Sequence, residues 1–196
     1  PRDIEARSME IITGELGDTA WKEPELSVVR RCIHTSADFD YNINLKFSAN
    51  ACKKGIQALR NGADIVTDTR MAMSGINKRR LAEYGGQVHC FIDDETVIKE
   101  AKQRGVTRSA ICMERGAGIK KPVIFAIGNA PTALIRLYEL VESGAVKPEL
   151  VIGVPVGFVN VVESKELFMQ ADISWIIAAG SFPVSMESCV RGSYTG

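Results

Sequence analysis

Short apolar runs alternate with stretches of helical periodicity through most of this sequence. The runs predict five buried strands, at 64–67, 88–92, 123–127, 150–154 and 174–178. Apolar positions at helical spacing predict helices between them, at 47–60, 94–104 and 132–141. Apolar strands separated by helices are typical of a parallel sheet covered on both faces. The pattern therefore predicts an α/β fold, a Rossmann-like, doubly wound, mostly parallel sheet of about five strands with flanking helices.

The two ends of the chain follow other patterns. Helical periodicity within residues 1–45 predicts an N-terminal helical segment, whose first helix, over 4–16, turns Ile4, Ile11 and Ile12 inward. The final segment, 181–196, is polar and has no clear periodicity, so we expect it to be loop or disordered. We interpret the whole chain as one domain with an atypical tail.

Composition narrows the class of protein. The 196 residues include 24 basic and 24 acidic side chains, which argues against a generally basic nucleic-acid-binding surface. No apolar run reaches the roughly 18 residues that span a bilayer. Five scattered cysteines, with no paired spacing, favour free thiols over a disulfide framework or a zinc site. We therefore expect a cytoplasmic protein that binds neither nucleic acid nor membrane.

The loop after the third predicted strand is a candidate binding element, because ligands of open α/β sheets bind at the carboxyl ends of the strands. It consists of Gly128, Asn129, Ala130, Pro131 and Thr132. Gly128 permits close backbone approach, Asn129 is a candidate N-cap, and Pro131 suits a first helical turn. Exposed amides and the helix dipole would then favour an anion. The same residues also fit a capped helix start that binds nothing.

The loop after the fourth predicted strand combines glycine with apolar residues. Gly153, Gly157 and Phe158 lie within seven positions of one another. Such a loop suits a smooth wall beside a flat ligand, and it equally suits a tight strand-to-helix turn.

His34 is a candidate proton donor at the end of an amphipathic stretch. Arg30 and Arg31 lie four and three positions before it, so we expect all three on one helix face. A helix C-terminus favours the imidazolium, and a bound polyanion would offset the arginines. The alternative is a solvated or capping histidine at a helix end. The other histidine, His89, lies within a predicted strand, where packing in the core is the expected role.

Further polar and apolar side chains occur where a ligand could lie. Arg108 and Ser109 follow a glycine and precede an apolar segment, so a forked guanidinium contact could hold a carboxylate there. Arg7 with Ser8 in the first helix, and Met71 in the loop after the first strand, are weaker candidates of the same kind. Solvation at the surface is the alternative for these residues.

Together these segments resemble one family, the precorrin-8X methylmutases, whose members in the anaerobic pathway are cobalt-precorrin-8 methylmutases. The elements that carry the resemblance recur in the family's order: RS at 7–8, His34, TRSA at 107–110, GNAPTAL at 128–134, GVPVGFV at 153–159 and ESK at 163–165. The resemblance runs from Arg7 to about Gly180. It departs in the tail, where the family continues with a basic, Gly-rich turn and an apolar helix.

The resemblance implies an isomerase of cobalamin biosynthesis that moves a methyl group from carbon 11 to carbon 12 of (cobalt-)precorrin-8. It implies that His34 protonates a ring nitrogen and thereby assists a 1,5-sigmatropic shift that yields cobyrinic or hydrogenobyrinic acid. It also implies an anionic tetrapyrrole substrate, a homodimer, and no cofactor or bound metal, since any cobalt is carried by the substrate. Residues expected to bind the substrate are Arg7, Ser8, Met71, Arg108, Ser109, Gly128, Asn129, Ala130, Pro131, Thr132, Gly157 and Phe158.

Two other classes of protein remain open at this point. A non-catalytic corrinoid carrier would use the same pocket, although an acid at His34 favours the enzyme. An unrelated α/β enzyme that uses a nucleotide lacks support, because the chain has no phosphate-binding fingerprint. Binding of a corrinoid or of a nucleotide would distinguish these two.

Overall fold

The computed structural model describes residues 2–180, and the predicted tail, 181–196, lies outside these residues. Within them the chain forms six strands, in order β1 Leu45–Phe47, β2 Asp64–Thr67, β3 Val88–His89, β4 Val123–Ile127, β5 Leu150–Gly153 and β6 Trp175–Ala178. It also forms ten helices: α1 Arg2–Leu16, α2 Glu25–Ser36, α3 Tyr41–Asn44, α4 Ala51–Arg60, α5 Arg70–Gly75, α6 Lys78–Glu83, α7 Glu95–Arg104, α8 Arg108–Ala117, α9 Pro131–Glu142 and α10 Val161–Phe168. None of the described helices is long and apolar enough to cross a membrane.

The strands form one mixed sheet in the order β1-β6-β5-β4-β2-β3. Neighbouring strands are parallel except β1, which pairs antiparallel with β6 at one edge. The predicted doubly wound α/β fold is confirmed, but the sheet has six strands instead of about five. The additional strand, β1, occupies residues where a helix was expected to begin, so that helix starts four residues later, at Ala51.

Helices cover both faces of the sheet and create two buried clusters. One face carries α7, α8, α9 and α10 around Phe125, Leu134 and Leu137, which are fully buried. The other face carries α1, α2, α4 and α6 around Val29, Ile33 and Leu45. This double covering explains why the inner strands β4 and β5 are almost continuously apolar.

Two local expectations are wrong. Ile4 and Ile11 of α1 are 76% and 52% exposed, because α1 makes its main contacts with α2 alone. The third residue expected to face inward, Ile12, is buried as predicted. The expected strand at 88–92 is reduced to Val88–His89, which lies at the edge of the sheet. Strand β3 therefore has a single neighbour, β2, to extend its pairing.

Candidate functional site

The loops that follow β2, β4 and β5 lie together at the carboxyl edge of the sheet. The backbone amide of Val154 donates to the carbonyl of Ile127 at 2.8 Å, and that of Val156 donates to Asn129 at 3.4 Å. The loop after β5 is therefore tied to the loop after β4. This is the edge at which parallel α/β sheets bind ligands.

Asp68 joins the loop after β2 to the same group. Its carboxylate is fully buried and accepts backbone N–H bonds from Gly128 at 2.9 Å and from Asn129 and Ala130 at 2.8 Å each. The expectation that these amides are free to bind the anion of a ligand is thus wrong, because the Asp68 carboxylate already accepts their hydrogen bonds. Asn129 is also not the N-cap, since Ala130 occupies that position and Pro131 begins α9.

Apolar side chains are exposed around this edge. Met71 in α5 is 79% exposed, and Phe158 in the loop after β5 is 83% exposed. Gly157 has a φ of +135°, a conformation that side chains disfavour, and so it permits the turn that presents Phe158. The structure thus places the two expected apolar contact residues at the surface of the carboxyl edge.

The start of α8 lies beside the start of α9. Thr107 caps α8 by accepting from the amide of Ala110, and its hydroxyl lies 3.0 Å from that of Thr132. Arg108 is exposed, and its guanidinium donates to the carbonyl of Ile92 at 3.4 Å. Ser109 is half-buried next to it. Arg108 is therefore the next residue after a contact between the start of α8 and the first turn of α9.

His34 lies in the last turn of α2 and contacts α1. Its Nδ1 is 2.8 Å from the hydroxyl oxygen of Ser8, a residue 26 positions earlier in the chain. Both residues line a cavity of about 460 Å³ together with Arg7 and Phe39. The structure therefore brings Arg7, Ser8 and His34 into one group. The sequence alone did not predict that these three residues lie together. The carboxyl-edge loops form a second group.

The segment after His34 connects these two groups. It leads through α3 into β1, whose first residue, Leu45, pairs with Ala178 at the carboxyl end of β6. The backbone amide of Ala179 also donates to the carbonyl of Asn44 at 2.8 Å. The chain therefore runs from the histidine to the carboxyl edge in about ten residues.

The arginines of α2 are already paired with carboxylates of the protein. Arg31 donates to Glu5 of α1 at 2.8 Å, and Arg30 lies 3.9 Å from Glu23. The hydrogen bond and charge of Arg31, and to a smaller extent the charge of His34, lower the pKa of Glu5. Carboxylates of the protein therefore already offset the arginines that were expected to share a substrate-facing surface with His34.

The second histidine has a polar role. His89 Nε2 lies 2.8 Å from Asp64 Oδ2, and the ring stacks on Phe91. The interpretation of His89 as a core-packing residue is wrong, because the edge strand leaves it half-buried beside a buried carboxylate. This pair is at the amino end of β2, opposite the candidate site.

Two charged residues near the candidate site, Asp68 and Lys165, are buried, which the sequence did not predict. Asp68 lies in the loop 67–71, a weaker candidate from the sequence, and Lys165 lies in the segment 163–165 that carries the family resemblance. Lys165 of α10 is only 2% exposed, and its ammonium donates to the carbonyl of Gly180 at 2.7 Å. Burial lowers the pKa of Lys165 to about 8. The available signal was an acidic residue directly after a buried strand and a lysine within an apolar helix. Among residues 2–180 no group of three or more potential metal-ligating side chains occurs.

Comparison with known proteins identifies the family. A family model described as precorrin-8X methylmutase matches residues 3–182. The chain belongs to the precorrin-8X methylmutase family. This confirms the resemblance and, at the level of the family, the expected isomerase of cobalamin biosynthesis.

Individual methylmutases are similar to this chain over most of its length. The cobalt-precorrin-8 methylmutase of Priestia megaterium is 42% identical over 180 residues, which cover 92% of this chain and 80% of the relative. The cobalt-precorrin-8 methylmutase of Salmonella typhimurium is 42% identical over 188 residues, covering 92% and 87%. A crystal structure of the precorrin-8X methylmutase from Thermus thermophilus superposes with a TM-score of 0.84 at 35% identity, covering 97% and 95% of the two chains.

Proposed function

We propose that this methylmutase moves a methyl group from carbon 11 to carbon 12 of (cobalt-)precorrin-8 to give cobyrinic or hydrogenobyrinic acid. The observation that carries the proposal is the Ser8–His34 contact of 2.8 Å at the wall of a cavity. Because the imidazole of His34 is held through Nδ1, its other nitrogen, Nε2, can face a ligand. The names of the similar proteins supply the substrate, precorrin-8 or its cobalt form, which we take to be an anionic tetrapyrrole.

His34 supplies the proton in the proposed reaction. In the imidazolium, Nδ1–H donates to the Ser8 hydroxyl oxygen, and Nε2–H points to a nitrogen of the macrocycle. Transfer of that proton makes the conjugated ring electron-poor. The bond from the methyl group to carbon 11 then breaks as the bond to carbon 12 forms, and the proton returns to Nε2. No atom is gained or lost by the substrate, as isomerisation requires.

The surrounding residues match a flat polycarboxylate. Exposed Arg7 at the His34 cavity and exposed Arg108 at the carboxyl edge supply positive charge for carboxylates. Met71 and Phe158 supply apolar surface for the ring. We assign substrate binding to these four residues, to Ser109, to the segment 128–132 at the start of α9, and to the loop that contains Gly157. Binding of a rigid macrocycle between them would hold the migrating methyl group close to carbon 12.

The proposed reaction needs no cofactor, because the methyl group stays within one substrate molecule. Cobalt, where the substrate carries it, is cargo and not a metal of the protein. We also place the reaction in the cytoplasm, since the described cysteines Cys32, Cys52, Cys90 and Cys112 are free thiols.

We further propose that the active form is a homodimer. Ile4 and Ile11 are exposed on α1 and line the His34 cavity, so a second copy that covers α1 would bury them next to the acid. Light scattering is expected to give about twice the chain mass of 21.4 kDa. A monomer at micromolar concentration would contradict this part of the proposal.

The test of the activity is turnover of precorrin-8X, with and without cobalt, followed by the absorption spectrum. The His34→Ala variant is expected to keep its fold and corrinoid affinity and to lose roughly 100-fold or more in kcat, the range for general acid catalysis. The matched control is His89→Ala, which removes the other histidine outside the site. Unchanged turnover in His34→Ala would refute His34 as the acid. Tight corrinoid binding by the wild-type protein without a methyl shift would instead indicate a carrier.

A further inference from the structure

Asp68 has the contacts of a group that shapes a site without touching the ligand. The residue has no exposed surface, and its two carboxylate oxygens accept three backbone amides about 60 positions away in sequence. Charged groups are costly to bury unless they are well paired. Three charge-assisted hydrogen bonds at the positive end of α9 provide such a pairing.

The bonds of Asp68 link three loops of the carboxyl edge. Directly after it, Thr69 caps α5 by accepting from the amide of Ala72, so the position of Met71 follows from that of the Asp68 segment. On the other side, Asn129 accepts from the amide of Val156 in the loop that presents Phe158. A change at Asp68 is therefore transmitted to both apolar contact residues.

We propose that Asp68 is a positioning residue for substrate binding: its buried carboxylate fixes the loop 128–130 and, through it, the surface on which the macrocycle rests. This inference rests on the proposed function. The amides at the start of α9 do not bind a substrate carboxylate, because they already donate to Asp68. Substrate carboxylates then depend on side chains such as Arg108.

A purely structural carboxylate on the same strand offers a matched control. Asp64 begins β2, is also buried, and bonds to Lys121, His89 and the amide of Gln87. It lies at the amino end of the strand, whereas Asp68 follows the carboxyl end. Asparagine at either position loses charge-assisted hydrogen bonds, but only Asp68→Asn disturbs the loops of the candidate site.

The experiment compares Asp68→Asn, Asp64→Asn and wild type by kcat and KM for precorrin-8X and by the Kd of the product, hydrogenobyrinic acid. Asp68→Asn turns an amide N–H₂ toward backbone N–H groups, so KM and Kd are expected to rise about tenfold or more. Its kcat is expected to stay within about twofold, because His34 lies on α2. Loss of folded protein alone, the result expected for Asp64→Asn, lowers apparent kcat and leaves KM and Kd unchanged.

A second variant, Asp68→Glu, keeps the charge and the acceptor oxygens if the asparagine variant does not fold. Its longer side chain displaces the loop, so a smaller rise in KM and Kd is expected. Wild-type KM and Kd in a folded Asp68 variant would overturn the inference while the proposed function stands. Absence of turnover by the wild-type protein would instead refute the proposed function, and the product Kd would still show whether Asp68 positions the loops.

Discussion

Ser8 and His34 are 26 residues apart in the chain, and their side chains meet at 2.8 Å between the hydroxyl oxygen and Nδ1. The contact joins α1 to the last turn of α2. It restricts the orientation of the imidazole and determines which ring nitrogen faces the cavity. Ser8 was expected to bind substrate directly; from its contact with His34 we expect it instead to orient the proposed proton donor.

The Ser8→Ala variant tests this role. A hydrogen bond to a charged group contributes roughly 1.5–3 kcal/mol, so its loss is expected to lower kcat about tenfold or more. KM is expected to change less, because the substrate loses no large contact. Steady-state turnover of precorrin-8X measures both constants.

The control for this variant is Thr13→Ala, since Thr13 is an exposed hydroxyl residue of α1 that bonds only to the carbonyl of Met9 within its own helix. It is expected to turn over at the wild-type rate. A Ser8→Ala variant with wild-type kcat would show that the contact does not assist proton transfer.

The inner strands and the main helices could be predicted from sequence, whereas the edges could not. Strands β4 and β5 are buried on both faces, so their apolar runs are unambiguous. Strand β1 has only three residues, and its apolar positions merge with those of α4. Its pairing with β6 depends on residues about 130 positions away, which no local pattern reveals.

In the candidate site, too, residues marked by local sequence motifs could be predicted, whereas contacts between distant segments could not. Residue types and motif order singled out His34, Arg108 and the loop at 128–132. The role of Asp68 was not predicted, because its partners are backbone amides, which are present at almost every residue and leave no mark in the sequence. Burial of Lys165 was likewise invisible, since it depends on how α10 packs on the sheet.

Close packing of α8 on the sheet predicts the cost of a single added methyl group. A Cβ at Gly116 would lie 2.7 Å from Phe125 Cε1 and 3.0 Å from Val66 Cγ1. Gly116→Ala is therefore expected to lower the free energy of unfolding by roughly 1–3 kcal/mol, the usual range for overpacking. Urea denaturation of the two proteins measures the difference.

Gly14→Ala is the matched control for this substitution, because a Cβ there would meet nothing within 4 Å and α1 is helical on both sides. It is expected to raise the free energy of unfolding by roughly 0.5–1 kcal/mol. Equal stability of Gly116→Ala and wild type would mean that α8 can shift away from the sheet at little cost.

Asp64 makes the fold sensitive to acid. Burial by itself raises the pKa of this carboxyl, but hydrogen bonds from Lys121, His89 and the Gln87 amide outweigh it and lower the pKa below its ordinary value. The unfolded residue titrates near ~3.9, so the stabilisation is complete above that pH and is lost as the pH falls through the folded pKa.

The Asp64→Asn variant is therefore expected to be less stable than wild type at pH 7, with a gap that narrows as the pH falls below about 4. Thermal unfolding from pH 7 to pH 3 measures the gap, and Asp18→Asn serves as an exposed control. A constant gap across this range would show that Asp64 contributes no charge-dependent stability.

Lys165 makes the free energy of unfolding depend on pH in the alkaline range. Burial lowers the pKa of its ammonium to about 8 in the folded protein, whereas an unfolded lysine titrates near ~10.4. Between these values the unfolded state binds more protons than the folded state. The contribution of Lys165 to the free energy of unfolding therefore increases as the pH rises from about 8 to about 10.

The Lys165→Met variant removes this contribution while it keeps a long side chain in the buried position. The wild-type protein is therefore expected to gain stability relative to the variant from pH 7 to pH 10, measured by urea denaturation. Using the difference between the two proteins removes the opposite trend of the buried thiols Cys52 and Cys112, whose pKa values burial raises to about 11 and about 12. Lys53→Met, at an exposed position of α4, reports the loss of one positive charge by itself. A pH-independent difference between wild type and Lys165→Met would show that the buried ammonium carries no desolvation penalty.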